Sequence, residues 1–236
     1  MISVIIPTYN EASCLGATLA RLAGIRGDFE VLVADGESTD GSAQIVERFV
    51  ASFPRPLRLI LAPRGRALQM NYAAEAARGD ILLFLHADLE IPSDAMANLE
   101  WALRDLGIVG GNFQVVFEGR SRLNRLFSLI YSLRRLWGVY YGDSGIFVRR
   151  DMFNRLGGFK AIPIMEDYEF VRRLERAGKT VSLEPRLRVS DRRWCAQGLC
   201  VTLASWIWIE TLFCLGVPAR CLARFYVPVR EAGSSK

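Results

Sequence analysis

The chain has 236 residues, 51% of them hydrophobic, enough to bury the core of one α/β domain without disulfides or a structural metal. A net charge of +5 is too small an excess to indicate nucleic acid, but it favours polyanions such as nucleotide diphosphates or acidic lipid headgroups. Five cysteines and a single histidine form no C-x-x-C pair and no zinc-ligand pattern, so the thiols read as reduced and mostly buried.

An apolar strand starts at once, Ile2 to Ile6, with no basic n-region and no small-residue cleavage site, so a cytoplasmic location is expected. Three more buried strands follow at Phe29 to Ala34, Leu57 to Leu61 and Ile81 to Leu85. Between and after them lie helical patterns: Leu15, Leu19 and Leu22 share one face behind an Asn10 cap, and Met96, Leu99 and Leu103 share another behind Ser93. The β-α-β-α order predicts a mostly parallel sheet flanked by helices, with ligands beyond the carboxyl ends of its strands.

Each of those strand ends runs into polar residues that a core would reject. Pro7-Thr8-Tyr9-Asn10-Glu11 follows the first, Asp35 to Ser42 the second, Arg64-Gly65-Arg66 the third and His86-Ala87-Asp88 the fourth. Taken alone, the first two are weak signals, because Glu11 suits a helix N-terminus and a D-G-x-S-T-D-G stretch is a turn before a helix whatever it binds. His86-Ala87-Asp88 is sharper: a carboxylate there can hold magnesium or manganese, which prefer oxygen and share substrate phosphates. His86 itself could ligate the metal, meet a phosphate, or only pack.

Past Leu106 the pattern loosens into an apolar strand from Gly111 to Phe117, a basic helix-like stretch from Arg120 to Leu136, and a Gly-rich passage at Tyr141 to Gly145. Met165-Glu166-Asp167-Tyr168-Glu169 then opens a helix whose apolar face is Phe170, Val171, Leu174 and Ala177. The helix N-terminus favours acids there, and a cleft carboxylate is what a general base requires. From Leu199 to Val217 the chain is apolar nearly all round, so that helix either packs on the protein or lies on lipid, with Arg220 and Arg224 ready for anionic headgroups. The uncharged run from Cys195 to Ile209, before Glu210 interrupts it, is too short for a membrane span.

Together these stretches resemble family 2 glycosyltransferases of the GT-A fold, over roughly residues 1–195. Val4 to Glu11 is similar to the family's opening strand and its nucleotide-holding loop, Asp35 to Gly41 to its base-contacting D-D-G-S-T-D-G element, and Ala77 to Asp88 to the stretch leading into its metal-binding D-x-D. Arg64-Gly65 and Asn71 fit the same stretch, and Gly145 to Arg150 with Leu156 to Phe159 resemble the approach to its E-D motif, matched by Glu166-Asp167. The H-A-D form, with Gly65 to Asn71 upstream, looks like a small bacterial subgroup associated with arsenosugar or carotenoid-ester glycosylation.

Length predicts a single domain over 1–236, in which the resemblance implies a donor half at 1–105 and an acceptor and catalytic half at 106–195, followed by the apolar helical segment at 196–225. It implies a nucleotide-diphosphate sugar of UDP or GDP type as donor, held by Pro7, Thr8, Glu11, Asp35, Arg64, Arg66 and His86. A divalent metal, manganese or magnesium, would sit on Asp88 with His86, and Asp167 beside Glu166 would be the base for single-step inversion. Asp143, Arg193 and Trp194 are expected on the acceptor side, Arg192-Arg193-Trp194 resembling the end of Q-x-x-R-W in processive synthases.

Two positions depart from the family pattern: Gly36 replaces the second aspartate of D-D-G, and His86 replaces the first of D-x-D. Ser190 stands where Q-x-x-R-W has Gln, which favours transfer of one sugar over polymerisation. A nucleotide-sugar-binding or membrane-associated scaffold is the competing reading, and metal-dependent hydrolysis of a nucleotide sugar separates the two. A dehydrogenase is excluded because no G-x-G-x-x-G follows any strand.

Overall fold

A computed structural model of the chain describes residues 1–117, 129–130, 133–135, 137–189 and 199–225. The expected strands form as β1 (Ile2–Thr8), β2 (Phe29–Asp35), β3 (Leu57–Leu61) and β4 (Ile81–Phe84), all parallel. Helices α1 (Ala12–Gly24), α2 (Ser42–Val50), α3 (Arg66–Ala76) and α4 (Ala95–Ala102) follow them in turn. The second part contributes β5 (Ile108–Phe117), β6 (Ile146–Arg149) and β7 (Lys179–Val189), with α5 (Arg150–Arg155) and α6 (Glu166–Ala177) between the last two strands. Two further helices, α7 (Leu199–Cys214) and α8 (Ala219–Leu222), close the described chain.

Both parts share one seven-stranded sheet in the order β3-β2-β1-β4-β6-β5-β7. Alternation along each strand sorts the core to its two faces. Val4 and Ile6 face α1 and α4 through Leu15, Leu19, Leu22, Met96 and Leu99. Ile5 faces the opposite way, joining Met70 of α3, Phe153 of α5 and Phe170, Val171 and Leu174 of α6. Phe84, Phe153, Phe159 and Phe170 form a chain of rings with centroids 4.5–5.7 Å apart, which locks α5 and α6 onto that face.

The sheet is mixed because β6 runs antiparallel between β4 and β5. Ile146, its first residue, pairs with Phe84, the last of β4, so the turn before β6 lies at the carboxyl edge of β4. That placement brings residues about 60 positions apart to one edge.

Several local expectations are corrected. Asn10 does not cap α1: it adopts a left-handed φ of 55°, Glu11 takes the cap position, and the side chain of Asn10 accepts from Thr39 N instead. Asp94 rather than Ser93 precedes α4. β4 ends at Phe84, one residue early, and β5 begins at Ile108 rather than Gly111. Cys214 and Cys221 are exposed and Cys14 is half-buried, because α7 and α8 lie on the periphery. Arg193 and Trp194, like most of 120–136, lie outside the described residues.

Candidate active site

Four loops converge at the carboxyl edge of the parallel strands. The two expected to hold the donor nucleotide are laced to each other. Asp40 accepts Ala12 N at 2.8 Å, Ser42 Oγ accepts Glu11 N at 2.9 Å, and Ser38 Oγ accepts Asn10 N at 2.9 Å. Side chains of the second loop thereby satisfy amides at the start of α1 that no local residue caps. Asp40 holds its carboxyl below the usual range: burial pushes it up, but hydrogen bonds from Ser42 and Ala12 outweigh that.

Asp35 stands at the end of β2, opposite Thr8 in register, and is 3% exposed. One carboxylate oxygen accepts Ser38 N at 2.9 Å, while Oδ1 is buried with no partner. Pro7 and Thr8 end β1 beside it, Thr8 fully buried, and Glu11 is buried at the start of α1. Arg64 lies over the Tyr9 ring at 4.2 Å, which places a cation on the rim of these loops.

The missing aspartate at position 36 has a steric cause. Gln69 of α3, 3% exposed, donates to Thr8 O at 2.6 Å and to Ala34 O at 2.9 Å. A Cβ at Gly36 would lie 2.8 Å from its amide. Gln69 thus fills the space that a side chain at position 36 would need. Sequence reading missed it, and its one signal is a glutamine among the apolar positions Ala67, Met70, Ala73 and Ala74.

The acidic pair opens α6. Asp167 accepts Gly142 N at 2.8 Å and Tyr168 N at 2.8 Å, with Arg66 NH2 3.8 Å away. Asp167 is buried, with backbone amides and a guanidinium around its carboxylate. Glu166 is 1% exposed, paired with Arg66 through Oε1, and its Oε2 has no partner. Burial pushes its carboxyl up, Arg66 opposes the shift, and the charge of Asp167 adds to it. Arg66, expected on the donor diphosphate, therefore reaches across 100 residues to the E-D pair.

His86 and Asp88 follow β4 and are half-buried. A Cβ at Gly142 would lie 2.7 Å from His86 Nε2 and 3.2 Å from Asp167 Oδ2, so imidazole, turn and carboxylate crowd one spot. Only glycine fits there. Asp143, in the same Gly142–Ser144 turn, lies beside them in the chain. Among the described residues no three His, Cys, Asp or Glu side chains form a ready metal cage. Asp88 nonetheless suits a hard cation that keeps its waters and is completed by substrate phosphates, which calls for only one or two protein carboxylates.

An aromatic wall bounds the other side. Tyr141 stacks on Tyr168 at 5.9 Å, and Phe213 of α7 meets Tyr168 edge-on at 6.0 Å. Tyr168 Oη lies 3.3 Å from Cys214 Sγ, and burial with that contact pushes its hydroxyl up to about 12. Glu210 of α7 accepts from Tyr141 Oη at 2.8 Å and pairs with Arg134. Sequence reading did not connect α7 to the acids, since nothing local says which of its faces turns inward.

The sequence model for "Glycosyl transferase family 2" matches residues 3–157. An undecaprenyl-phosphate 4-deoxy-4-formamido-L-arabinose transferase of Pseudomonas fluorescens is 30% identical over 160 residues, 63% of this chain and 46% of that protein. A PGL/p-HBAD biosynthesis glycosyltransferase of Mycobacterium bovis is 40% identical over 186 residues, 72% of this chain and 68% of that protein. Among solved structures, a mannosyltransferase of Pyrobaculum calidifontis in complex with GDP-Man and Mn2+ superposes with a TM-score of 0.65 and 26% identity, covering 78% of this chain and 54% of that one. The chain thus spans about half the length of the Pseudomonas and Pyrobaculum proteins. With a GT-A sheet, four polar loops at its carboxyl edge and a family match across two-thirds of its length, the chain belongs to glycosyl transferase family 2.

Proposed function

We propose that the protein transfers one sugar, with inversion, from a nucleotide-diphosphate sugar to an acceptor hydroxyl or carboxylate, with Asp167 as the base. The observation that carries this reading is the setting of Asp167: a carboxylate held by two backbone amides at the strand-end edge, facing the Gly142 turn and His86. Such holding fixes the acceptor-facing oxygen in place, which is where much of a general base's effect originates.

The donor nucleotide lies against Asp35, whose buried Oδ1 is left to accept a hydrogen bond, with Arg64 at the rim. Asp88 would hold the divalent cation, manganese or magnesium, whose charge offsets the negative charge developing on the departing diphosphate. The complex of the Pyrobaculum mannosyltransferase with GDP-Man and Mn2+ supports a nucleotide-sugar donor and a divalent cation as the ligands. As the oxygen of a hydroxyl acceptor bonds to the anomeric carbon, the bond to the diphosphate oxygen breaks and the hydroxyl proton passes to Asp167; a carboxylate acceptor attacks as the anion and transfers no proton. Arg66, paired with Glu166, stands 3.8 Å from that carboxylate and steadies its charge.

A panel of UDP- and GDP-sugars, assayed for metal-dependent release of nucleotide diphosphate, identifies the donor. With that donor, Asp167→Asn keeps calorimetric affinity and loses transfer by about 10²–10⁴-fold, whereas Asp88→Asn loses the manganese-dependent part of binding. Near-wild-type turnover by Asp167→Asn would remove it from the role of base.

A further inference from the structure

Of the fourteen large apolar side chains exposed among the described residues, eight fall in 129–137 and 207–225. They include Trp137 at 74%, Trp208 at 60%, Leu215 at 75% and Phe225 at 67% exposure. The two segments are neighbours, because Arg134 of the first pairs with Glu210 of the second and both meet Tyr141.

Helix α7 is two-faced in burial although not in composition. At 100° per residue, the exposed positions 207, 208, 211, 214 and 215 fall within about 120° of arc. Their opposite face carries buried Ile209 and half-buried Glu210 and Phe213, which reach Tyr141 and Tyr168. So the apolar stripe points away from the molecule directly behind the wall of the site.

Charge distinguishes what such a stripe can meet. The one acid in 199–225 is Glu210, turned inward and neutralised by Arg134, while the exposed charges are Arg220 and Arg224. An apolar centre containing tryptophan, with a basic rim and no outward acid among the described residues of the two segments, fits the boundary between acyl chains and anionic headgroups. No helix among the described residues is long and apolar enough to cross a membrane, so the geometry is that of a helix lying on the surface.

We propose that this shelf, formed by Leu129, Ile130, Leu133, Trp137 and α7 through Phe225, docks on an anionic bilayer and turns the Tyr141–Tyr168 side of the site towards it. The acceptor is then a molecule whose reactive group lies at the membrane surface, a statement that rests on the transferase reading above. Docking itself does not rest on it.

The test is flotation of the full chain with phosphatidylglycerol–phosphatidylethanolamine vesicles and, in parallel, phosphatidylcholine vesicles, at low and high salt. The protein floats with the anionic vesicles, more weakly as salt rises. A Trp208→Ser, Leu215→Ser double variant lowers partitioning on the order of a hundredfold, and Arg220→Gln and Arg224→Gln lower it about fivefold each. Unchanged circular dichroism and an unchanged thermal unfolding midpoint show that these variants remain folded. Protein that stays at the bottom with both vesicle types overturns the proposal, as does a dimer in sedimentation that Trp208→Ser splits, which would make the occupant a second copy. Nucleotide diphosphate release is read separately, so loss of docking and loss of the transferase reading are distinguishable.

Discussion

Glu30 and Glu166 are each 1% exposed, and they lie at opposite edges of the same sheet with opposite shifts. At the amino edge, Glu30 accepts from Ser3 Oγ at 2.7 Å, Arg78 N at 2.6 Å and Arg58 at 2.9 Å. Burial alone would raise its carboxyl, but the bonds from Arg78, Ser3 and Arg58 bring it below the usual range. At the carboxyl edge, Glu166 keeps one oxygen without a partner and burial wins. Asp35 Oδ1 is orphaned at that same edge, whereas no carboxylate oxygen is buried and unpartnered around β1 and β2 at the other. Arg58 Nε is buried without a partner at the amino edge, so the contrast is one of acids: that edge saturates its carboxylate for stability, while the other leaves carboxylate oxygens for a ligand to satisfy.

Isosteric substitution of the two acids sharpens the comparison most. Glu30→Gln should lower unfolding free energy by roughly 3 kcal/mol in denaturant titration, because three donors lose a charged acceptor. Glu166→Gln should stay within about 1 kcal/mol of wild type, since removing a buried charge relieves desolvation and half-exposed Arg66 retains Asp167. Equal losses at both positions would break the distinction.

Gly36→Ala comes next, at roughly 2 kcal/mol, because the new methyl meets an amide that two carbonyls hold in place. The same substitution in a Gln69→Ala background should lose much less. Additive effects would mean that Gln69 does not occupy the space.

The smallest effect is in pH. Glu30, Asp40 and Glu169 have lowered carboxyls, so their contribution is complete above the ordinary carboxylate range and is lost as pH falls through their folded values. Glu166 works in the other direction: its contribution is complete below the ordinary value of 4.5 and is lost as pH rises through its raised folded value. Glu30→Gln should therefore flatten the acid limb of a stability profile, and Glu166→Gln should flatten the decline above 4.5. Parallel profiles for the two variants would contradict the opposite shifts.

The sequence by itself determined the first four strands and the edge on which chemistry gathers. Apolar runs separated by helical periods specify β1 to β4 and their parallel order, and the polar residues after each run specify four loops at one edge. The Glu166-Asp167 pair before an apolar helical face specified acids at a helix start. These signals are local, since period, turn chemistry and helix-end charge act over a few residues.

What only the tertiary structure decided are the pairings across distance. A strand signal carries no direction, so the antiparallel insertion of β6, which brings the Gly142 turn onto Asp167, could not be read from Ile146 to Arg149. The reach of Arg66 to Glu166, the filling of position 36 by Gln69 and the inward turn of Glu210 span 100, 33 and 69 residues to Glu166, Gly36 and Tyr141 respectively. Each depends on which side chains share a space once the sheet has closed. Steric fit and desolvation belong to that packed state, and neither leaves a period in the chain.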